Sequence, residues 1–405
     1  MLRRASVLVP LAWLVLAAAA RADGWELDLD GRLVSSNADP SYTRGGISGV
    51  RFDQDQSGLR LGRARFALTE SIGELWSVHL DASAWGDHDR IPVGLTEAYL
   101  QFRPYPFAGY RLRVKAGAFY PPVSLENRAA GWESPYSLSY SAIDSWLAIE
   151  VRTIGVEATL DWLGRRQGHD FDLGVTGGVF GWNEGIGTFI ANDGFTLTDR
   201  QTPYGGRVGL PSDPLLMNFE PFRQLDGRAG VYGGLELRWL DRVVVRALRY
   251  DNRADPTAVD NATNAIAWET SFDSLGVRGE TAGGWTGILQ ALKGNTAIEP
   301  GGFYLTWPFK AEYALVAKQA GQHMLSLRYD RFEVDSSIGG DGSETGHAWT
   351  AAYVYTPSEH WRLTLEWLRV TSNSYYRNDV FGLASLASET QVQLAVRYAL
   401  GSALR

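Results

Sequence analysis

Arg111, Arg113 and Lys115 stand two apart in the stretch Tyr110–Phe119, and Leu112, Val114, Ala116 and Ala118 alternate with them. In an extended chain successive side chains point to opposite faces, so the three cations share one side and the apolar residues the other. Arg63 and Arg65 repeat the arrangement, with Ala64, Phe66 and Leu68 opposite. Between these two basic stretches, Asp81, Glu97 and Tyr99 fall on the matching polar faces. A row of cations on one wall draws anions toward it. The same set with its acids makes a salt-bridge network that stiffens the wall, and the residues alone leave both readings open.

Covalent and metal chemistry finds little footing. The histidines, His79, His88, His169, His323, His347 and His360, are scattered, and no pair has metal-ligand spacing on a helix. There is no cysteine, so neither a disulfide framework nor a thiolate site can form. Ser77 and His79 share a face, but a hydrolase needs an orienting third group. The acidic runs Asp53-Gln-Asp55 and Asp341-Gly-Ser-Glu344 resemble calcium ligands in type, yet solvated loop tips explain them as well. No enzyme, metal or cofactor is expected.

The elements that must carry the charged rows are strands. Residues 1–22 read as a removable export signal, with Arg3 and Arg4, an apolar run over Ala5–Ala20, and a small-x-small site at Ala20-Arg21-Ala22. The formal charge is −8, and −11 without the three arginines of that segment. A chain this acidic is a poor nucleic-acid partner. Beyond residue 22 no run approaches the roughly 18 apolar residues of a spanning helix. Short alternating segments recur instead, sixteen of them between Trp25 and Leu400. Connections after even-numbered segments are short (104–109, 163–169, 241–242, 357–360), and those after odd-numbered ones are mostly long (37–57, 120–149, 181–226, 372–388).

That sorting of loops is the pattern of a transmembrane barrel, with short periplasmic turns and long outer loops. The expectation is therefore an all-β, 16-stranded antiparallel transmembrane β-barrel forming one domain over residues 23–405. An arginine facing hydrocarbon costs roughly 2–4 kcal/mol at mid-depth, which turns the basic faces inward. Arg63, Arg65, Asp81, Glu97, Tyr99, Arg111, Arg113 and Lys115 are thus expected to line a pore. Trp76, Phe102, Trp162, Trp239, Tyr355, Trp361 and Tyr398 lie on apolar faces near short turns, as an aromatic girdle would. Tyr120-Pro-Pro ends the fifth strand, and residues 120–149 are expected to fold into the lumen as a constriction. Tyr120, Glu126, Arg128, Glu133 and Asp144 would border it. Residues 181–226 are expected as a long outer loop, and a phase slip near Ser274 predicts a bulge. Two other classes fit the composition: a secreted, soluble β-rich carbohydrate-binding protein, and a barrel plugged by its own loops that serves structure or adhesion.

The run Gly117-Ala-Phe-Tyr-Pro-Pro-Val-Ser-Leu-Glu126 resembles the phosphate-selective porin O/P family, in which such a run ends a strand and opens the loop after it. Leu59–Leu68 and Leu95–Arg103 add to the resemblance, which covers residues 25–165. It implies a Gram-negative outer-membrane porin, homotrimeric, giving small hydrophilic solutes passive diffusion with a modest preference for anions such as phosphate. Two departures stand out. No lysine lies between Lys115 and Lys293, and Leu400 takes the place of a terminal aromatic.

Overall fold

The structure is a computed structural model that describes residues 24–87, 91–210, 218–260, 262–263, 265–338 and 342–402. The export signal and His88 lie outside them. Strands β1 (Gly24–Ser36), β2 (Gly58–Ile72), β3 (Trp76–Trp85), β4 (Val93–Phe102), β5 (Tyr110–Phe119), β6 (Thr153–Trp162), β7 (Phe171–Gly181) and β8 (Gly230–Trp239) form one half of a sheet. The other half is β9 (Val243–Asp251), β10 (Glu269–Glu280), β11 (Trp285–Ile298), β12 (Leu305–Ala320), β13 (His323–Val334), β14 (Glu344–Tyr355), β15 (Trp361–Ser374) and β16 (Leu386–Ser402). Neighbours in sequence pair antiparallel, and β1 closes on β16 with Leu27 opposite Leu400. The fold is a closed, 16-stranded antiparallel barrel. Closure leaves no edge strand with unpaired backbone groups. No described helix is long and apolar enough to cross a membrane.

Side-chain alternation sets the two surfaces. Leu27, Leu29, Leu235, Leu275, Leu289, Leu325 and Leu365 point outward and stay exposed. Near the short turns, Trp76 packs on Phe102 and Trp361 on Tyr398, each pair with ring centroids 4.6 Å apart. These are register partners on adjacent strands, so the rings share one height.

Two local expectations need correction. β10 pairs with β9 and β11 without any register shift, so there is no bulge at Ser274. The irregularities lie at Asp30/Gly31 and Asp81/Ala82 instead. At the second, Asp81 pairs with Glu97 and Ala82 with Leu95, which leaves Thr96 as the extra residue. Thr96 thus leaves the apolar face and its hydroxyl donates to the Asp81 carboxylate at 2.9 Å.

The larger difference is inside. A 16-stranded barrel has room for an aqueous bore, and a wet lumen narrowed by one loop was expected. Three long connections turn inward instead, over residues 37–57, 120–152 and 182–210. Helix α1 (Ala142–Glu150) is buried at all nine positions. Ser141 caps it, accepting from the Asp144 N–H at 3.2 Å. Its polar residues Asp144, Ser145 and Glu150 are buried with the apolar ones and are hydrogen-bonded to Ser124, Thr196 and the Trp146 indole. Trp146 of α1 sets its ring edge-on against Phe272 and Phe309, at 5.3 and 5.0 Å. Phe195, from the third connection, packs on Phe309 and Phe332. A stack of Phe180, Tyr250 and Phe272 continues this core along the wall of β7, β9 and β10.

A charged interior and its loop plug

The cationic faces of β2 and β5 do point inward, and the acids of neighbouring strands meet them. Arg65 is fully buried and donates to Asp81 at 2.6 Å and to Glu26 and Asp28 at 2.9 Å. Arg63 is ion-paired with Glu133 of the 120–152 connection, and Arg397 joins Glu133 to Asp28. Arg63, Arg65 and Asp81 were expected on a wetted pore wall. The structure buries all three inside this network, because the inward-turned loop brings Glu133 against Arg63 and Arg397 while Arg65 and Asp81 pair with each other beneath it. Glu97 is half-buried and accepts from the Tyr120 N–H at 3.5 Å. Tyr99 holds the Lys115 ammonium over its ring at 5.2 Å, and Lys115 reaches Glu157 at 3.7 Å.

Arg111 and Arg113 form a different arrangement. Both donate to Asp161 Oδ2, at 3.0 and 3.3 Å, and Arg238 of β8 pairs with Oδ1 of the same carboxylate. Three guanidiniums share one carboxylate, and Arg238 also reaches Glu236 at 3.5 Å, which leaves Arg111 and Arg113 with the single Asp161 charge between them and Arg238. The side chains of Arg111, Arg113 and Arg238 are 25%, 37% and 22% exposed, against 1% for Asp161. At Asp161 the more exposed partners are the cations. Arg246 and Arg278, both half-buried, continue the row along β9 and β10, each paired with a carboxylate, Glu236 and Glu280.

The loop residues attach the plug to the wall. Tyr120 stacks on Trp132 with centroids 4.0 Å apart, and its hydroxyl donates to Gln201 at 3.2 Å. Glu126 accepts from Arg328 at 2.7 Å and from the Ser141 N–H at 3.1 Å. Arg328 also holds Asp330 at 2.8 Å, and Asp330 caps the Ala142 N–H at 3.0 Å. Arg128 pairs with Glu280 at 3.0 Å near the short-turn end, where it is partly exposed. Asp144 accepts from Ser124 at 2.7 Å. Of the thirteen residues singled out from the sequence, Arg128 alone among the loop set keeps substantial contact with solvent.

Sequence reasoning missed the anchors contributed across long separations. Asp199 binds Arg32 at 2.5 Å and Arg51 at 3.0 Å, joining two inward-turned connections to β1. Arg152 is buried with its guanidinium over the rings of Tyr120, Tyr204 and Phe222. No spacing signals such contacts, since the partners come from separate loops.

Burial and charge split the plug's carboxyls. Burial pushes Glu150 up to about 7, although the Phe189 N–H and the Trp146 indole favour its charged form. Asp144 is raised well above the usual range by burial and by Glu126 nearby, and Asp193 likewise by burial and Glu150. Burial would also raise Glu133, but Arg397, Arg63 and Arg362 hold it below its ordinary value. Asp199 is depressed in the same way by Arg32 and Arg51. Among the described residues, no group of three or more His, Asp or Glu is placed to hold a metal ion.

No family model matches the sequence, and no curated protein does. Solved structures match over nearly the whole barrel. The outer membrane channel DcaP of Acinetobacter baumannii has a TM-score of 0.53 at 11% identity, with 93% of this chain and 96% of that one covered. The anion-selective porin from Comamonas acidovorans has 0.52 at 12%, covering 93% and 98%. In-vitro folded OmpT of Vibrio cholerae, in its trimer form, has 0.52 at 10%, covering 93% and 98%. At these identities the likeness is one of fold: the chain has the closed barrel architecture of those outer-membrane proteins.

Proposed function

We propose that the chain is a porin-type channel of the Gram-negative outer membrane, giving small hydrophilic solutes passive passage with a modest preference for anions such as phosphate. The observation that carries this reading is the closed 16-stranded wall with a belt of exposed leucines and paired aromatic rings on its outside, and a charged inner face over β2–β6, which suits a barrel set in hydrocarbon. The sharing of Asp161 by Arg111, Arg113 and Arg238, of which only Arg238 has a further carboxylate in Glu236, supports the anion preference, since Arg111 and Arg113 are more exposed than the acid they share. Two structural neighbours, an outer membrane channel and an anion-selective porin, agree with it, and a third, a trimer, fits a homotrimer in outer-membrane lipid. No catalytic, cofactor, metal or nucleic-acid role is proposed.

The buried plug favours a second reading, a loop-plugged barrel serving structure or adhesion. Planar-bilayer recording separates the two, because a channel shows conductance steps and a sealed barrel shows none. If steps appear, the reversal potential in a salt gradient tests selectivity. Neutralising Arg111, Arg113 and Lys115 to glutamine is expected to move it toward cations. An unchanged value would remove the anion preference from the reading.

A further inference from the structure

On the outer surface of β9–β12 the alternation runs opposite to that of β5. Phe309, Ala311, Tyr313 and Leu315 of β12 face inward and are buried, so Lys310 and Glu312 face out. Cross-strand register aligns Arg249, Asp273, Lys293, Lys310 and Glu333 in one continuous row over five strands. Arg249 has Asp273 at 2.8 Å and Lys310 has Glu333 at 2.9 Å. Lys293, flanked by Asp273 and Lys310, makes no ion pair with a described residue. Two lysines directly opposite each other repel across a sheet, and an anion bridging them removes that repulsion.

The row lines one side of a depression of about 920 Å³ on the outer wall, joined there by Glu312 and Arg331, while Gly233, Ala247 and Ala291 with the exposed Leu235 and Leu275 make its apolar part. Lys293 stands eight residues along β11 from Trp285, the ring at the short-turn end. At about 3.4 Å per residue and a tilt of about 45°, that is about 20 Å, near the far edge of an apolar band roughly 25 Å tall. Outward-facing Tyr329 and Trp349, with centroids 4.7 Å apart, pair in register through Ala314 with Leu289, four residues nearer the short turns than Lys310 and Lys293. The charged row thus stands on the far side of the leucine-flanked part of the depression from the short turns.

We propose that this face binds a phosphorylated, acylated lipid, with its phosphate between Lys293 and Lys310 and an acyl chain in the apolar part of the depression. The site is independent of whether the barrel conducts. Native mass spectrometry of the full chain released from detergent, loaded with phosphatidic acid or phosphatidylcholine, tests it. The wild type is expected to retain phosphatidic acid preferentially. The double change Lys293→Gln/Lys310→Gln should weaken that preference about tenfold, the loss of a charge-assisted contact. Lys318→Gln, on β12 near the short turns, should leave it intact. Should the double variant fail to give a cooperative melt by circular dichroism, Ala291→Trp, which fills the depression, is read in the same way. Equal retention in wild type and variants overturns the proposal. So does displacement of the lipid by inorganic phosphate at equal concentration, which would mean a free-phosphate site. Disulfide crosslinking of two Lys293→Cys chains in membranes also overturns it, because a second copy would then cover the face.

Discussion

The walls built by β2–β6 and by β9–β13 use one backbone pattern for opposite ends. On β5 the charged face looks inward and the apolar face outward. On β12 the inward face is Phe309, Ala311, Tyr313 and Leu315, and the outward face carries Lys310 and Glu312. The first wall meets water and loop carboxylates inside, so its arginines are paired or partly wet. The second wall meets the plug chiefly through a packed aromatic core at Phe272, Phe309 and Phe332, with the buried Arg328–Asp330 pair of β13 as its charged anchor. What each strand needs on its inner face is decided by whichever loop lies against it.

Substitutions can break this contrast. Phe309→Arg puts an unpaired charge into the dry side and is expected to cost about 5 kcal/mol or to prevent folding, because a buried ion without a partner loses its hydration. Gln101→Arg, on the half-buried inner face of β4, should stay within about 0.5 kcal/mol of wild type. Chemical denaturation of both variants in detergent compares them directly, and similar losses would erase the distinction between the two walls.

Arg65→Leu should cost about 3–5 kcal/mol, since Glu26, Asp28 and Asp81 would be left without their shared counter-ion. Heat-modified mobility on a gel checks it, with an unshifted unfolding temperature counting against the network. Trp146→Ala belongs to the other wall. It removes the ring that joins α1 to Phe272 and Phe309, at a cost of about 3–5 kcal/mol. Its more telling effect would be on single-channel conductance, which should rise as the plug loosens.

The smallest effect concerns pH. Glu150 is raised to about 7 when folded, so its contribution to plug stability is full below the ordinary carboxylate range and is lost as pH rises toward 7. Glu133 is depressed by its arginines, so its contribution is present above the ordinary carboxylate range and lost in acid. The plug should therefore be tightest in mildly acidic solution. Glu150→Gln should flatten the change in melting temperature between pH 5 and pH 7, and a variant as pH-sensitive as wild type would assign the effect elsewhere.

Much of the barrel was legible because its signals are local. The period of two in Tyr110–Phe119, the proline pair after Tyr120, and the alternation of short and long connections each depend on residues close in sequence. The anchors of the plug were not legible, because Asp199 meets Arg32 and Arg51, and Glu126 meets Arg328, only after loops have crossed the interior. The reversal on β12 escaped for a related reason. Tyr313 and Leu315 read as an apolar face, which they are, but hydrocarbon outside and a packed core inside select the same residue types.

Residue order alone therefore determined which side chains share a face and how many strands there are, since backbone geometry imposes the period whatever lies on either side. Which face looks inward in each sector, and whether that interior is wet or dry, was decided only when three connections entered the barrel. Burial against them depends on contacts between segments more than a hundred residues apart, and no local pattern encodes those.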